Sequence, residues 1–482
     1  MVLLRRKLEV GFPKMKKFLV VAALLATTAA AQSADLGRRA PVYKAPIMQV
    51  YDWTGFYIGV NAGLGVARDR TRLGIPALPS AEQSHLSPFG AIGGGQIGYN
   101  WQINQDWLVG LEADIQASGQ RDNYTCLVTC TPGFFRANLS QELDWFGTVR
   151  GRVGIVKGPV LSYFTGGVAY GHTSTTVSEA AGILAPASFT ATNTKVGYAI
   201  GSGVEASLGG NWTGKIEYLY VDLGKQTHNF ALLGTPQSVE TRIQNNIFRA
   251  GLNYRIGAVA NYTPPPANWT GFYVGGNAGS LLGRNRSNLS GVGLSESFHL
   301  VPDGYAIGGQ AGYNWQAAAW VFGIEADVQG AFSRDKDACI VGCAAGTAAT
   351  LKQTLPWFGT VRGRVGYTLG STLFYGTGGF AYGQTKTEIT ETAAGVGTGA
   401  ATIKRNRGGY AVGAGIETPF ELFGLIGPNW TTKTEYLYVD LGKTTDSFTV
   451  LGAPQTFSTR TQEHIFRTGI NYQFNGPRVA RY

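Results

Sequence analysis

The sequence predicts an all-β protein built as two tandem antiparallel up-and-down transmembrane barrels of eight strands each. Three observations point there. Whole blocks of sequence return after a little over two hundred residues. Within each block, apolar residues alternate with glycines, polar and charged residues at a period of two, which gives a strand one apolar face. The segments joining these stretches alternate between short and long, as a barrel needs when its two ends face different compartments. A single ring of sixteen strands is the alternative arrangement. A soluble sandwich or lipocalin-like barrel with its apolar face inward also satisfies simple alternation.

Composition supports the β reading. The chain has 482 residues, of which 12% are aromatic, 15% are charged and 69 are glycine. Glycine this abundant, without a collagen triplet, indicates disorder or strands whose backbones crowd together, and the aromatics argue against disorder. Beyond the N-terminus no apolar run is long enough for a membrane-spanning helix.

The first 33 residues read as an address. From Met15, "MKKFLVVAALLATTAAAQS" supplies Lys16 and Lys17, a short apolar core and small residues at a cleavage site. Residues 1–13 look like an upstream extension. Removing residues 1–33 takes away six Lys/Arg and one Glu, so the formal charge of +10 falls to +5. The basic balance is thus partly the signal, and nucleic acid is not an expected partner. Residues 34–52 form a short segment ahead of the first barrel.

The first barrel is expected over residues 53–256. Its strands are placed near 53–64, 91–102, 106–117, 142–156, 160–176, 195–207, 212–225 and 245–256. In the third, Trp107, Val109, Leu111, Ala113 and Ile115 share one face, with Glu112 and Asp114 on the other. Long connections are expected around 66–90, 118–141, 178–194 and 226–244. Trp, Tyr and Phe near the strand ends resemble an interfacial girdle, which favours lipid over water outside. Residues 257–268, "GAVANYTPPPAN", read as a semi-rigid spacer because three prolines follow one another. The second barrel is expected over 269–474, with residues 475–482 as a tail.

The repeated blocks are specific. "WTGFYIGVNAG" at Trp53 returns as "WTGFYVGGNAG" at Trp269, "GLEADIQ" at Gly110 as "GIEADVQ" at Gly323, and "WFGTVRGRVG" at Trp145 again at Trp357. "EYLYVDLGK" stands at Glu217 and again at Glu435. Together with "GGVAYG" at Gly166 and the "ADL" after the signal, these motifs resemble the outer-membrane immunogenic protein family of alphaproteobacteria, which are small opacity-type, porin-family β-barrels. The resemblance spans both halves and implies an outer-membrane location with a surface or envelope role. The chain departs from the usual pattern in having two barrels and in running past Phe474.

The inward faces carry charge. In the first half the candidates are Glu112, Asp114, Arg150, Arg152, Glu205, Lys215, Glu217 and Arg249. The second half offers Glu325, Asp327, Arg362, Arg364, Glu417, Lys433, Glu435 and Arg467. Each set holds four acids and four bases. An eight-stranded barrel is just wide enough for its side chains to fill, so these charges are expected to pair across the lumen. A charged channel lining is the competing reading. In "KIEYLYVDLGK", Lys215 and Glu217 should face inward while Ile216, Tyr218 and Tyr220 face lipid.

Cys126 and Cys130, and Cys339 and Cys343, fall in matching long connections and are expected to form a local disulfide in each, given the oxidising compartment. Their spacing and the absence of nearby histidines argue against a metal site. His172 and Ser174 lie two apart near a strand end, an arrangement that would suit a lipid hydrolase. The sequence offers no evident acidic partner for His172, and the second half has Gln384 and Lys386 instead. The expectation is therefore a non-enzymatic barrel protein with plugged lumens, no cofactor and no metal. Its partners would be outer-membrane lipid and lipopolysaccharide, the barrel-assembly machinery, and surface or host ligands at the long loops. The alternatives are a sixteen-stranded diffusion porin and a rim lipid hydrolase.

Overall fold

A computed structural model describes residues 51–74, 82–125, 135–181, 185–257, 267–291, 294–338, 347–393, 395–420, 427 and 429–475. The segment expected to be a signal, most of the spacer, the end of the tail and all four cysteines lie outside these residues.

The first half forms β1 (Gly55–Ala67), β2 (Asp69–Gly74), β3 (Glu82–Leu86), β4 (Phe89–Gln102), β5 (Trp107–Thr125), β6 (Phe135–Lys157), β7 (Val160–Ala181), β8 (Ala187–Gly209), β9 (Trp212–Leu232) and β10 (Thr235–Ile256). The second half repeats this as β11 (Gly271–Gly283), β12 (Asn285–Gly291), β13 (Leu294–Leu300), β14 (Asp303–Ala317), β15 (Trp320–Ala338), β16 (Thr347–Leu369), β17 (Thr372–Ala393), β18 (Gly397–Pro419), β19 (Trp430–Val450) and β20 (Ala453–Gln473). In each half eight antiparallel strands run in order, and the first pairs with the last: β1 with β10, β11 with β20. Both rings therefore close on their own strands. The expectation of two tandem eight-stranded barrels is borne out, and the sixteen-stranded ring is not formed.

The expected long connections are largely strand. The hairpin β2–β3 adds to the far end of β10, giving each sheet ten strands rather than eight. The expected connection 226–244 is instead the continuous hairpin β9–β10, reversed at Leu233 and Gly234 with φ of +49° and +77°. A two-residue turn with both φ positive matches strand twist, and glycine takes such a conformation without strain. The long strands pass beyond the band where their outer faces are apolar. There the outward positions become polar, while Leu139, Val177, Leu232 and Val239 join a buried apolar cluster.

Around that band Phe56, Val60, Leu111, Ile115, Val149 and Phe164 point outward and exposed, with Trp101, Trp107 and Trp212 exposed at the short-turn end. Apolar side chains displayed all round a closed ring, edged by aromatics, fit a lipid surrounding. Glycines line the inner wall because strands and side chains approach closely. A Cβ on Gly94 would sit 1.9 Å from the Ile115 carbonyl oxygen, and one on Gly201 2.0 Å from that of Tyr218.

The interior is layered. At the short-turn end of the first barrel Tyr51, Trp53, Leu108, Val156, Leu161 and Tyr163 pack together. The Trp53 indole N–H donates to the Gly158 carbonyl at 3.0 Å. A charged layer follows. Beyond it comes an apolar layer that includes Leu143, Phe146, Leu219, Val221, Leu223 and Ile247. The second barrel stacks the same way, with Trp269, Val321 and Leu373 at the bottom and Leu281, Phe358, Leu437 and Ile465 higher up.

Candidate functional site: the charged layer of each lumen

Strand register sets the charged layer. Glu112 of β5 lies directly opposite Arg150 of β6, Glu217 of β9 opposite Arg249 of β10, and Glu205 of β8 opposite Lys215 of β9. Opposite charges in directly facing positions stabilise a pair of strands. All eight side chains are buried.

Arg150 is the hub of the first barrel. Its Nη2 reaches Glu112 Oε1 at 2.6 Å and Asp114 Oδ2 at 2.9 Å, and its Nη1 reaches Glu217 Oε1 at 3.0 Å. Lys215 Nζ donates to both Glu112 oxygens at 2.9 Å. Arg249 Nε donates to Glu217 Oε2 at 2.7 Å, and its Nη2 to Asp114 Oδ2 at 2.9 Å. Arg152 donates to Glu205 at 3.0 Å and lies over the Tyr57 ring at 4.7 Å. All eight sequence-selected charges thus meet in one connected set.

The second barrel repeats these contacts. Arg362 reaches Glu325 at 2.5 Å, Asp327 at 3.0 Å and Glu435 at 3.1 Å. Lys433 donates to Glu325 at 2.8 Å, Arg467 to Asp327 at 2.9 Å, and Arg364 to Glu417 at 2.9 Å.

Neutral side chains add further bonds to the layer, and sequence reasoning missed them. Tyr57 donates to Glu112 at 2.8 Å and Tyr163 to Glu217 at 3.0 Å. Thr148 donates to Asp114, and Asn253 to Glu205. Tyr57 could have been found, since it alternates with the lipid-facing Phe56 and Ile58. Ion pairs out of water need such extra bonds to satisfy the remaining lone pairs.

The repeated "EYLYVDLGK" now resolves into parts. Glu217 enters the charged layer, while Leu219, Val221 and Leu223 enter the apolar layer above it. Tyr218 is not in a lipid belt. Its ring stacks at 5.2 Å on Phe466 of the other barrel. Asp222 and Gly224 build a bulge where the β9–β10 register slips. The Gly224 amide, at φ +76°, donates to Asp222 Oδ1 at 2.8 Å, while Arg242 and Gln244 hold Oδ2 at 2.8 and 3.0 Å. Asp440 and Gly442 repeat the device with Arg460 and Gln462.

One expectation about the rim is corrected. His172 does have an acidic neighbour, because Asp144 on the adjoining strand lies 3.9 Å from its Nε2. The ring is also stacked on Trp145, and its Nδ1 is 3.2 Å from Thr194 Oγ1. The cysteine pairs predicted to be disulfides lie outside the described residues. Among the described residues no cluster of three or more His, Cys, Asp or Glu could hold a metal ion.

The family model described as "Outer membrane protein beta-barrel domain" matches residues 19–255 and again 256–474. The 31 kDa outer-membrane immunogenic protein of Brucella melitensis is 33% identical over 245 residues, covering 49% of this chain and 97% of that protein. The 22 kDa outer membrane protein of Rhizobium leguminosarum is 33% identical, covering 36% of this chain and 66% of the relative. The 25 kDa outer-membrane immunogenic protein of Brucella melitensis is 28% identical, covering 49% and 96%.

Proposed function

Given that the chain belongs to the outer membrane protein β-barrel domain family, twice over, and resides in the cell outer membrane, we propose that it works through its outer surface and not through a pore or a reaction centre. Its role is structural and surface-interacting: two plugged barrels that anchor and present a raised outer face. The observation that carries this reading is the bonded, charge-balanced layer across each lumen. In each barrel it lies between a Trp-centred stopper and an apolar layer. A diffusion path would need all three layers to part, breaking buried ion pairs on the way.

Relatives named as outer-membrane immunogenic proteins support a surface-displayed part. So do the strand ends that stand beyond the lipid band. Lipopolysaccharide around the band and surface or host ligands at the outer connections are the partners this reading implies, with the barrel-assembly machinery during insertion. No enzymatic step is assigned. The His172 ring is engaged by Trp145 and Thr194, and Gln384 stands at the matching place in the second half.

Planar-bilayer recording of the purified full chain tests the proposal. The expected result is a quiet baseline, without stepwise openings. Reproducible porin-sized steps from the folded protein would overturn it.

A further inference from the structure

The two barrels touch through a patch whose contacts come in reciprocal pairs. Arg68, in the break between β1 and β2, donates from Nε to the Val301 carbonyl at 2.9 Å and from Nη2 to Asp335 Oδ1 at 2.7 Å. Arg284, in the matching break between β11 and β12, donates from Nε to the Ser87 carbonyl at 3.1 Å, and its Nη2 lies 3.5 Å from Asp122 Oδ1. His85 Nδ1 stands 3.6 Å from Asp335 Oδ2, and His299 Nδ1 stands 2.9 Å from Asp122 Oδ2. Asp335 Oδ2 accepts the Val301 amide at 2.7 Å, as Asp122 Oδ2 accepts that of Ser87 at 2.8 Å.

The apolar contacts reciprocate too. Tyr218 meets Phe466, and Phe248 meets Tyr436 at 4.8 Å between ring centres. Val66, Leu282 and Val301 pack around these rings. Position by position, Arg68 corresponds to Arg284, His85 to His299, Asp122 to Asp335, Tyr218 to Tyr436 and Phe248 to Phe466. Each element of one half binds the counterpart of its own partner. That is the signature of an isologous, self-complementary interface, the kind a two-fold dimer uses.

We propose that the chain is a dimer fused into one polypeptide, and that this patch, with its partner being a second copy of the same barrel, holds the pair together independently of the spacer. One difference between the halves then specialises the copies for each other. Arg68 lies 3.2 Å from Asp303, whereas Arg284 lies over the ring of Phe89, which holds the corresponding place in the first half. A patch facing an identical half would meet either two aromatic rings or two carboxylates. The mixed pair has one of each and closes within the chain, leaving no copy of the patch to recruit a second molecule.

Cutting the spacer in the full-length protein tests this. A protease site is placed within residues 262–266, the folded chain is cleaved in mild detergent, and the products are sized. The expected result is that both halves co-elute where the intact chain elutes. The double variant Arg68→Glu and Arg284→Glu, cleaved the same way, should separate at least about tenfold faster, because each change removes a buried charged partner. The milder pair Arg68→Gln and Arg284→Gln should fall between. Heat-modifiable migration of each half reports that it stays folded. Prompt separation of two folded wild-type halves would overturn the proposal, and so would co-elution unaffected by either double variant.

Discussion

Glu112 is bonded by Lys215, Arg150 and Tyr57, all within 2.9 Å. A hydrophobic replacement of similar volume would fill its space but leave those three buried donors without their acceptor. Glu112→Leu is therefore expected to destabilise the first barrel by about 3–5 kcal/mol, the usual cost of stripping one partner from a buried pair. Glu325→Leu should cost the second barrel a similar amount. Urea unfolding of each variant in detergent checks this, and an unchanged midpoint would count against a bonded lumen. A smaller effect is expected at the bulge. Asp222→Ala leaves the Gly224 amide and Gln244 without their acceptor, and a loss of about 1–3 kcal/mol should appear in the same assay.

At the scale of strands, the reciprocal patch carries a pH dependence. Asp122 sits past the apolar band on β5, facing His299, Arg284 and Arg286 from the other half and the Ser87 amide from its own. Burial pushes its carboxyl up, but the His299 and Ser87 hydrogen bonds and the Arg284 charge outweigh this and hold it below the ordinary carboxylate range. A depressed carboxylate contributes stability above its unfolded value of about 3.9, and that stability is lost as pH falls through the lower folded value. Wild type and Asp122→Asn should thus differ at pH 7 and converge below about pH 4, as read by urea midpoints. Parallel curves across that range would show that Asp122 is not ionised at the contact.

Strands were also where the sequence was only half legible. Charges such as Glu112 and Asp114 stand out against the apolar Leu111, Ala113 and Ile115, so the lumen side was readable. The outer strand ends were not, because residues such as Thr173 and Thr175 face inward there while the outward positions are polar as well. The inner apolar layer was hidden for the opposite reason. In "YLYV" both faces are apolar, and Leu219 and Val221 look no different from lipid-facing residues. Tyr218 reads as belt because the repeat announces a second barrel but not the outer face that it packs against.

For the molecule as a whole, separate closure means that each half carries everything its ring needs. Residues 34–258, expressed alone and refolded in detergent, are expected to give a closed, heat-modifiable barrel. Persistent aggregation of that fragment, while the full chain refolds, would mean that the first ring depends on the second. The Tyr218 and Phe248 rings, covered in the full chain by Phe466 and Tyr436, would then face detergent.

The seam between β1 and β10 has a consequence for biogenesis. In an ordinary single barrel the strand that completes the ring is also the end of the polypeptide. Here β10 ends at Ile256, with more than two hundred residues still to come. The first cylinder closes on a strand whose chain runs on into the second half. One molecule therefore has two seams to close, β1 on β10 and β11 on β20, and the first lies in the interior of the polypeptide rather than at its end.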